Sequence, residues 1–194
     1  MSPDVKPALF RQLLGRFATG VTVLTTRDQD GRPVGMTASS LASVSLQPPL
    51  LSVCVDFTAD MHKVLSSSGS FVINVLASHQ EELSRRFAEL PPEERFQGIA
   101  WQETGSGLVL LGGALAHIEC ERYADFPLGD HTLFVGRVTG GTATGGGTDY
   151  TMASGMLTFT PSQSSQNIPV TIVNDTLDEV DETIHIERGY ENIV

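Results

Sequence analysis

The order of apolar and polar positions predicts a chain built mostly of β-strands with a few helices. Residues 7–18 (PALFRQLLGRFA) and 79–90 (HQEELSRRFAEL) carry apolar side chains at helical spacing. Runs such as VTVLTTR, LLSVCVDF, SFVINVL and HTLFVGRV instead have the apolar, β-branched character of strands. Helices do not alternate regularly with these strands. The pattern therefore favours an antiparallel barrel or sandwich over a parallel sheet with crossover helices.

The charge of the chain changes near residue 140. Residues 1–139 hold 11 basic and 15 acidic side chains, a net charge of −4, and residues 140–194 hold one basic and eight acidic, a net charge of −7. We therefore predict a domain over 1–139 and a separate segment over 140–194. The total of −11 disfavours nucleic-acid binding, which needs clustered Lys and Arg.

The remaining composition suggests a cytoplasmic protein. No apolar run reaches the ~18 residues of a membrane span, so we expect no membrane insertion. The N-terminal residues MSPDVKPALF lack the layout of a signal peptide. Cys54 and Cys120 lie in apolar, strand-like runs, where we expect buried side chains and neither a disulfide nor a metal pair.

A run of small hydroxyl residues in segment 31–55 is the first sign of a binding site. Thr37, Ser39 and Ser40 follow one predicted strand and precede another. Such a run can hold the polar edge of a flat heterocycle, or a phosphate, without steric crowding. The alternative is a polar strand edge with ordinary turn chemistry, and the residues alone leave both interpretations open.

Several motifs occur in one order: FATGVTVLTT, VGMTASSLASVSLQPPLLSVCV, GSFVINVL, ELSRRFA and LGGALAHIECERYADFPLGDHTLFVGRV. Together they resemble the flavin reductase-like family over about residues 8–138. The resemblance implies an FMN-binding split β-barrel that forms a homodimer, with flavin held partly at the subunit interface. It also implies reduction of FMN or FAD by NADH or NADPH, on behalf of a flavin monooxygenase partner.

The same resemblance assigns site residues by motif position. Those that would bind the cofactor are Thr37, Ala38, Ser39, Ser40, Thr58, Lys63, Asn74, Arg86 and Phe87. His131, in GDHTLFVGRV, matches a family motif near the nicotinamide and is the candidate catalytic residue. Its imidazole would hydrogen-bond the carboxamide or assist proton transfer, and the alternative is a histidine that only satisfies a turn.

One segment departs from the family pattern. After VCVDF the family commonly has a Ser/Thr-rich turn that binds phosphate, whereas this chain has DFTADMHKVL. Thr58 remains, but Asp60 and Met61 replace hydroxyl residues, and an aspartate near a phosphate is unfavourable. Either Lys63 compensates for this charge or the phosphate binds elsewhere.

Residues from about 140 to 186 resemble the later half of a Calx-β domain. The motifs that carry this resemblance are GTDYT, SGMLTF, IPVTIVND and LDEVDET. It implies a short antiparallel β segment that docks on the barrel or across a dimer, since half a sandwich leaves edges unpaired. The resemblance makes Asp149, Asp175, Glu179 and Glu182 candidate Ca²⁺ ligands, and the alternative is a solvated acidic turn.

The leading functional hypothesis is an NAD(P)H-dependent flavin reductase. One alternative is a chimera that binds flavin but is catalytically impaired because its carboxyl-terminal part departs from the family. The other is a Ca²⁺-binding interaction module that uses a split barrel as its scaffold.

Overall fold

The computed structural model describes residues 5–143 together with two short strands, 150–151 and 171–172. Two compact units divide the chain, residues 1–144 and 145–194. The strands described in the first unit are β1 Thr22–Arg27, β2 Pro33–Ala38, β3 Ala42–Leu46, β4 Pro49–Asp56, β5 Ser70–Val75, β6 Trp101–Glu103, β7 Val109–Leu111, β8 Ala116–Leu128 and β9 His131–Ala143. Its helices are α1 Pro7–Leu14, α2 Asp60–Ser67 and α3 Glu81–Glu89, with single 3-10 turns at Ser78–Gln80 and Pro92–Glu94. In the second unit, β10 Tyr150–Thr151 pairs antiparallel with β11 Thr171–Ile172.

An antiparallel sheet dominates the first unit. Its strand order is β2-β1-β5-β8-β9-β4-β3, and every pair of neighbours is antiparallel. A second sheet contains only β6 and β7. The prediction of a mainly β fold with few helices is therefore confirmed.

The larger of the two buried apolar clusters among the described residues lies between the main sheet and α2. Phe71, Ile73 and Phe134 are fully buried there, and α2 adds Met61 and Leu65 from the same face of the helix, four residues apart. Burial of each such side chain contributes roughly 1.5–3 kcal/mol relative to exposure. This packing fixes α2 against the sheet, directly after the turn that ends β4.

Helix α1 contrasts with α2 because none of its residues is buried. Its apolar positions form the amphipathic pattern predicted from the sequence, yet Phe10 and Leu13 are 57% and 56% exposed. Phe17, just beyond the helix, is 73% exposed. The first unit therefore presents an unpaired apolar helix face.

Strand β9 continues past the boundary predicted at residue 139. Its last residue, Ala143, pairs with Ala116 of β8. Gly141 lies so close to β8 that a Cβ atom at this position would overlap the carbonyl oxygen of His117. The glycines at 140 and 141 thus belong to the β8–β9 ladder, and the division of the chain into two domains at residue 139 remains a prediction.

Asn74 links three strands inside the core. Its Nδ2 donates hydrogen bonds to the Val23 carbonyl and the Thr25 hydroxyl, each at 2.9 Å, and its Oδ1 accepts the Leu111 N–H at 2.8 Å. The side chain is fully buried. Its amide groups are therefore bonded within the protein, and a contact of Asn74 with the cofactor stays a prediction. The amide joins β1, β5 and β7.

We expect Asn74→Ala to lower the free energy of unfolding by about 2–4 kcal/mol, since it leaves buried groups unsatisfied. The measurement is urea unfolding, with Gln102→Ala at an exposed position of strand β6 as a control of near wild-type stability. The folded variant should keep wild-type affinity for FMN. Loss of flavin affinity at unchanged stability would contradict this structural role.

Candidate functional site

Hydroxyl groups fix the end of β2 against its neighbours. The Thr37 hydroxyl donates to the Ser84 carbonyl of α3 at 2.6 Å, and the Thr22 hydroxyl donates to the Ala38 carbonyl at 2.6 Å. Both bonds join segments distant in sequence. They hold the hydroxyl run of the sequence in one place between β1 and α3.

The next two residues begin the connection from β2 to β3. Ser39 and Ser40 are both exposed. The Ser40 Oγ accepts the Cys54 N–H at 2.9 Å and donates to the Cys54 carbonyl at 3.2 Å, as an added strand would. One face of this segment thus remains open while its ends are anchored.

A cavity of about 360 Å³ lies beside α3 at this end of the sheet. Its volume is within the ~300–1,000 Å³ range of small-molecule sites. Ser84, which binds the Thr37 hydroxyl, is one of its walls. The lining residues are Val21, Leu76, Ala77, Ser78, Gln80, Glu81 and Ser84.

A second group of polar residues lies at the carboxyl-terminal end of β4, two residues beyond Cys54. Asp56, the last residue of β4, pairs across the ladder with His131, the first residue of β9. The Phe57 N–H donates to the Asp130 carbonyl at 3.0 Å, and His131 Nδ1 lies 2.7 Å from Asp130 Oδ1. Ligand atoms of Asp56, Asp130 and His131 all lie within 4.8 Å of one another. Strand pairing therefore places two carboxylates around one imidazole.

In the turn after β4, both hydrogen-bond donors of Thr58 are bonded to Asp56. The N–H and the hydroxyl of Thr58 both donate to Asp56 Oδ1, each at 2.7 Å. These bonds, the backbone one first, lower the pKa of Asp56, so this carboxylate is ionised at neutral pH. The predicted contact of Thr58 with a phosphate therefore has to displace Asp56 or oppose its charge.

Lys63 lies in a different setting from Thr58. It lines a shallow depression of about 270 Å³ together with Asp28 and Asp30 of the β1–β2 turn. No hydrogen bond or ion pair in the part of the chain that the structure describes joins it to the Thr58 turn. The compensation of the Asp60 charge by Lys63 therefore stays a prediction.

The helix residues predicted to cover the cofactor have structural contacts instead. Phe87 is fully buried, and its ring meets that of Phe96 edge to face at 5.0 Å between centroids. Arg86 Nη1 donates to the carbonyls of Glu94 and Gln97 at 3.0 and 3.1 Å. Phe87 thus belongs to a second buried cluster, with Val23, Leu76 and Leu111, and Arg86 anchors the chain that follows α3.

His62 and Asp130 are functional-site neighbours that the sequence pattern did not reveal. His62 Nε2 lies 2.8 Å from the Thr132 hydroxyl, and its ring contacts Phe57 and Phe134 at 5.3 and 5.6 Å. Helical phase places His62 towards β9, but the pairing of β4 with β9 is needed to see this. The adjacency of Asp130 to His131 was the one available sequence signal.

The remaining ionisable candidates are less informative. Cys54 and Cys120 are free, and burial raises the pKa of the Cys120 thiol to about 12. The Ca²⁺ candidates Asp149, Asp175, Glu179 and Glu182 lie outside the described residues. Among the described helices, none combines the length and apolar character needed to cross a membrane.

Comparison with known proteins identifies a family for most of the chain. Residues 14–160 match the model of the flavin reductase like domain. A stachydrine N-demethylase reductase subunit of Rhizobium meliloti is 42% identical over 140 residues, which are 72% of this chain and 60% of that subunit. The reductase subunit of a flavin-dependent monooxygenase of Rhodococcus jostii is 42% identical over 135 residues, 70% of this chain and 68% of the relative.

A solved structure agrees with these sequence relatives. The NADH:FAD oxidoreductase of Streptomyces globisporus superposes with a TM-score of 0.67 at 39% identity, covering 74% of this chain and 88% of that protein. The family match extends to residue 160 and so includes the first part of the segment predicted to resemble Calx-β, a resemblance that these comparisons do not support. The chain belongs to the flavin reductase-like family.

Proposed function

We propose that this protein reduces FMN or FAD with NADH or NADPH and supplies the reduced flavin to a monooxygenase. The observation that carries the proposal is the anchored, open segment Thr37–Ser40 beside the 360 Å³ cavity, in a chain of this family. The names of the relatives support a reductase over the two alternative functions, since they include reductase subunits and an NADH:FAD oxidoreductase.

The segment from Thr37 to Ser40 would hold the flavin ring. The hydroxyls of Thr37 and Ser40 are already bonded to the protein, so the exposed side chain of Ser39 is the one that would face a ligand. A rigid, small-residue edge lets a flat ring approach the backbone closely. The protein's task is to hold this ring and keep it oriented.

His131 would contact the nicotinamide. Its side chain is 42% exposed and lies where β4 and β9 begin to pair. Hydride transfer between the nicotinamide and the flavin is chemistry that these two groups supply themselves. The residues of this chain therefore contribute binding and orientation, and no nucleophile is required.

A monooxygenase component and a second copy of this chain are the proposed partners. The exposed apolar face of α1, with Phe10 and Leu13 at its centre, supports a homodimer because monomeric proteins rarely expose such patches. A cytoplasmic location and a Calx-β-like segment over 140–186 both remain predictions.

The purified protein should oxidise NADH or NADPH only when FMN or FAD is added. The assay follows loss of the reduced-nicotinamide absorbance, and sedimentation of the same sample measures the oligomeric state. Ser39→Trp should raise the KM for flavin at least about tenfold by blocking the open edge. Ser106→Trp, at another exposed serine, is the matched control. Absence of flavin-dependent oxidation with either nucleotide would refute the proposed activity.

The occupied turn at Thr58 leads to a prediction about phosphate. If a flavin phosphate approaches this turn, the Asp56 charge opposes it, so we expect FMN to bind little better than riboflavin. Asp56→Asn keeps an oxygen that accepts from Thr58 but removes the charge. It should tighten FMN binding by about three- to tenfold and leave riboflavin unchanged.

Fluorescence titration with the two flavins measures this effect. Asp30→Asn, at an exposed aspartate of the β1–β2 turn, is the control for a general change of surface charge. Added salt should screen the Asp56 effect in the wild-type protein. An unchanged FMN-to-riboflavin ratio in Asp56→Asn would show that the phosphate binds away from this turn.

A further inference from the structure

The contact between Asp130 and His131 determines which nitrogen of the imidazole carries the proton, and it begins in the turn before β9. Gly129 and Asp130 form the turn between β8 and β9, because Leu128 pairs with His131 across it. Gly129 has φ +61°, a conformation that glycine adopts readily. The Asp130 carboxylate lies beside the imidazole of His131, the first residue of β9. Its Oδ1 is 2.7 Å from His131 Nδ1.

The backbone around this pair is held from β4. The Phe57 N–H donates to the Asp130 carbonyl at 3.0 Å, and Asp56 pairs with His131. The charged groups that lie within 4.8 Å of the imidazole nitrogen are the carboxylates of Asp130 from the turn and Asp56 from β4. Both are acids, so the imidazole lies in an environment that favours a donor at the nitrogen facing Asp130.

The chemistry of the contact identifies the nitrogen that carries the proton. A carboxylate accepts hydrogen bonds and has none to donate. The hydrogen bond from His131 is the main reason that the pKa of Asp130 lies below its ordinary value, so Asp130 is ionised at neutral pH. Nδ1 must therefore be the donor. In the neutral ring Nε2 then has a lone pair and can only accept.

We propose that Asp130 is a positioning residue that holds His131 in the Nδ1–H tautomer, so that Nε2 accepts a hydrogen bond from the carboxamide –NH₂ of the nicotinamide. This inference rests on the proposed function. It specifies which group of the nicotinamide carboxamide, the –NH₂ or the oxygen, forms a hydrogen bond with the imidazole. The carboxamide oxygen would meet a lone pair at Nε2, whereas the amide nitrogen offers a hydrogen. Nε2 of neutral His131 therefore accepts a hydrogen bond from the –NH₂ group and does not donate a proton.

An analogue that lacks the –NH₂ group tests this contact. Reduced 3-acetylpyridine adenine dinucleotide carries a methyl group in its place and retains the carbonyl oxygen. A single net hydrogen bond corresponds to a preference of about three- to tenfold. We expect the wild-type protein to show at least this preference for NADH over the analogue in KM, at fixed saturating flavin and at a pH above the titration range of imidazole.

Four variants separate orientation from general structural effects. His131→Ala and Asp130→Ala should each abolish most of the KM preference. The first removes the acceptor, and the second leaves the imidazole free to carry its proton on either nitrogen. Asp130→Asn is nearly isosteric but can donate its side-chain N–H to Nδ1, which favours the opposite tautomer, so it should also lower the preference. Asp30→Ala, an exposed aspartate outside the site, should behave as wild type. Ratios of KM between the two nucleotides cancel changes that affect both equally.

The outcomes distinguish this inference from the proposed function. Absence of flavin-dependent NADH oxidation in the wild-type protein would remove the function itself. Oxidation with an unchanged NADH preference in His131→Ala would overturn the inference and leave the function standing. An equal loss of affinity for both nucleotides in Asp130→Ala would also overturn it, since that indicates structural support only. If Asp130→Ala does not fold, His131→Ala and Asp130→Asn give the same decision.

Discussion

The antiparallel pairing of β4 with β9 is the constraint on which the candidate site depends. Its register runs from Leu50 opposite Arg137 to Asp56 opposite His131. A shift of one residue would reverse the side-chain faces of β4. It would remove Val53 and Val55 from the core and separate Asp56 from the imidazole. The buried face therefore fixes the geometry of the polar end.

Side-chain hydrogen bonds extend this order to the segment that would hold the flavin. Ser40 binds both backbone groups of Cys54, and Thr37 binds the carbonyl of Ser84 on α3. Small hydroxyl residues suit this position because they anchor a strand end without filling the space in front of it. The open edge is thus a consequence of what the hydroxyls bind.

Sequence patterns predicted the elements well because periodicity reports which faces are buried. The helical spacing of residues 79–90 and the β-branched runs around them correspond to α3 and to the strands of the sheet. Sequence patterns did not show which contacts individual side chains make. Asn74 and Phe87 match family motif positions, yet both are fully buried, and Lys63 lies beside Asp28 and Asp30. Motif position does not specify which groups a side chain already contacts.

The sequence by itself determined the mainly β class, the hydroxyl run at residues 37–40, the acidic excess after residue 140 and the family. These follow from local composition, spacing and motif order, which need no knowledge of distant contacts. Only the tertiary structure decided that Asp56 occupies the donors of Thr58 and that Asp130 holds one nitrogen of His131. Those facts depend on strand register and turn geometry, because hydrogen bonds form between atoms that the chain brings together only when it folds.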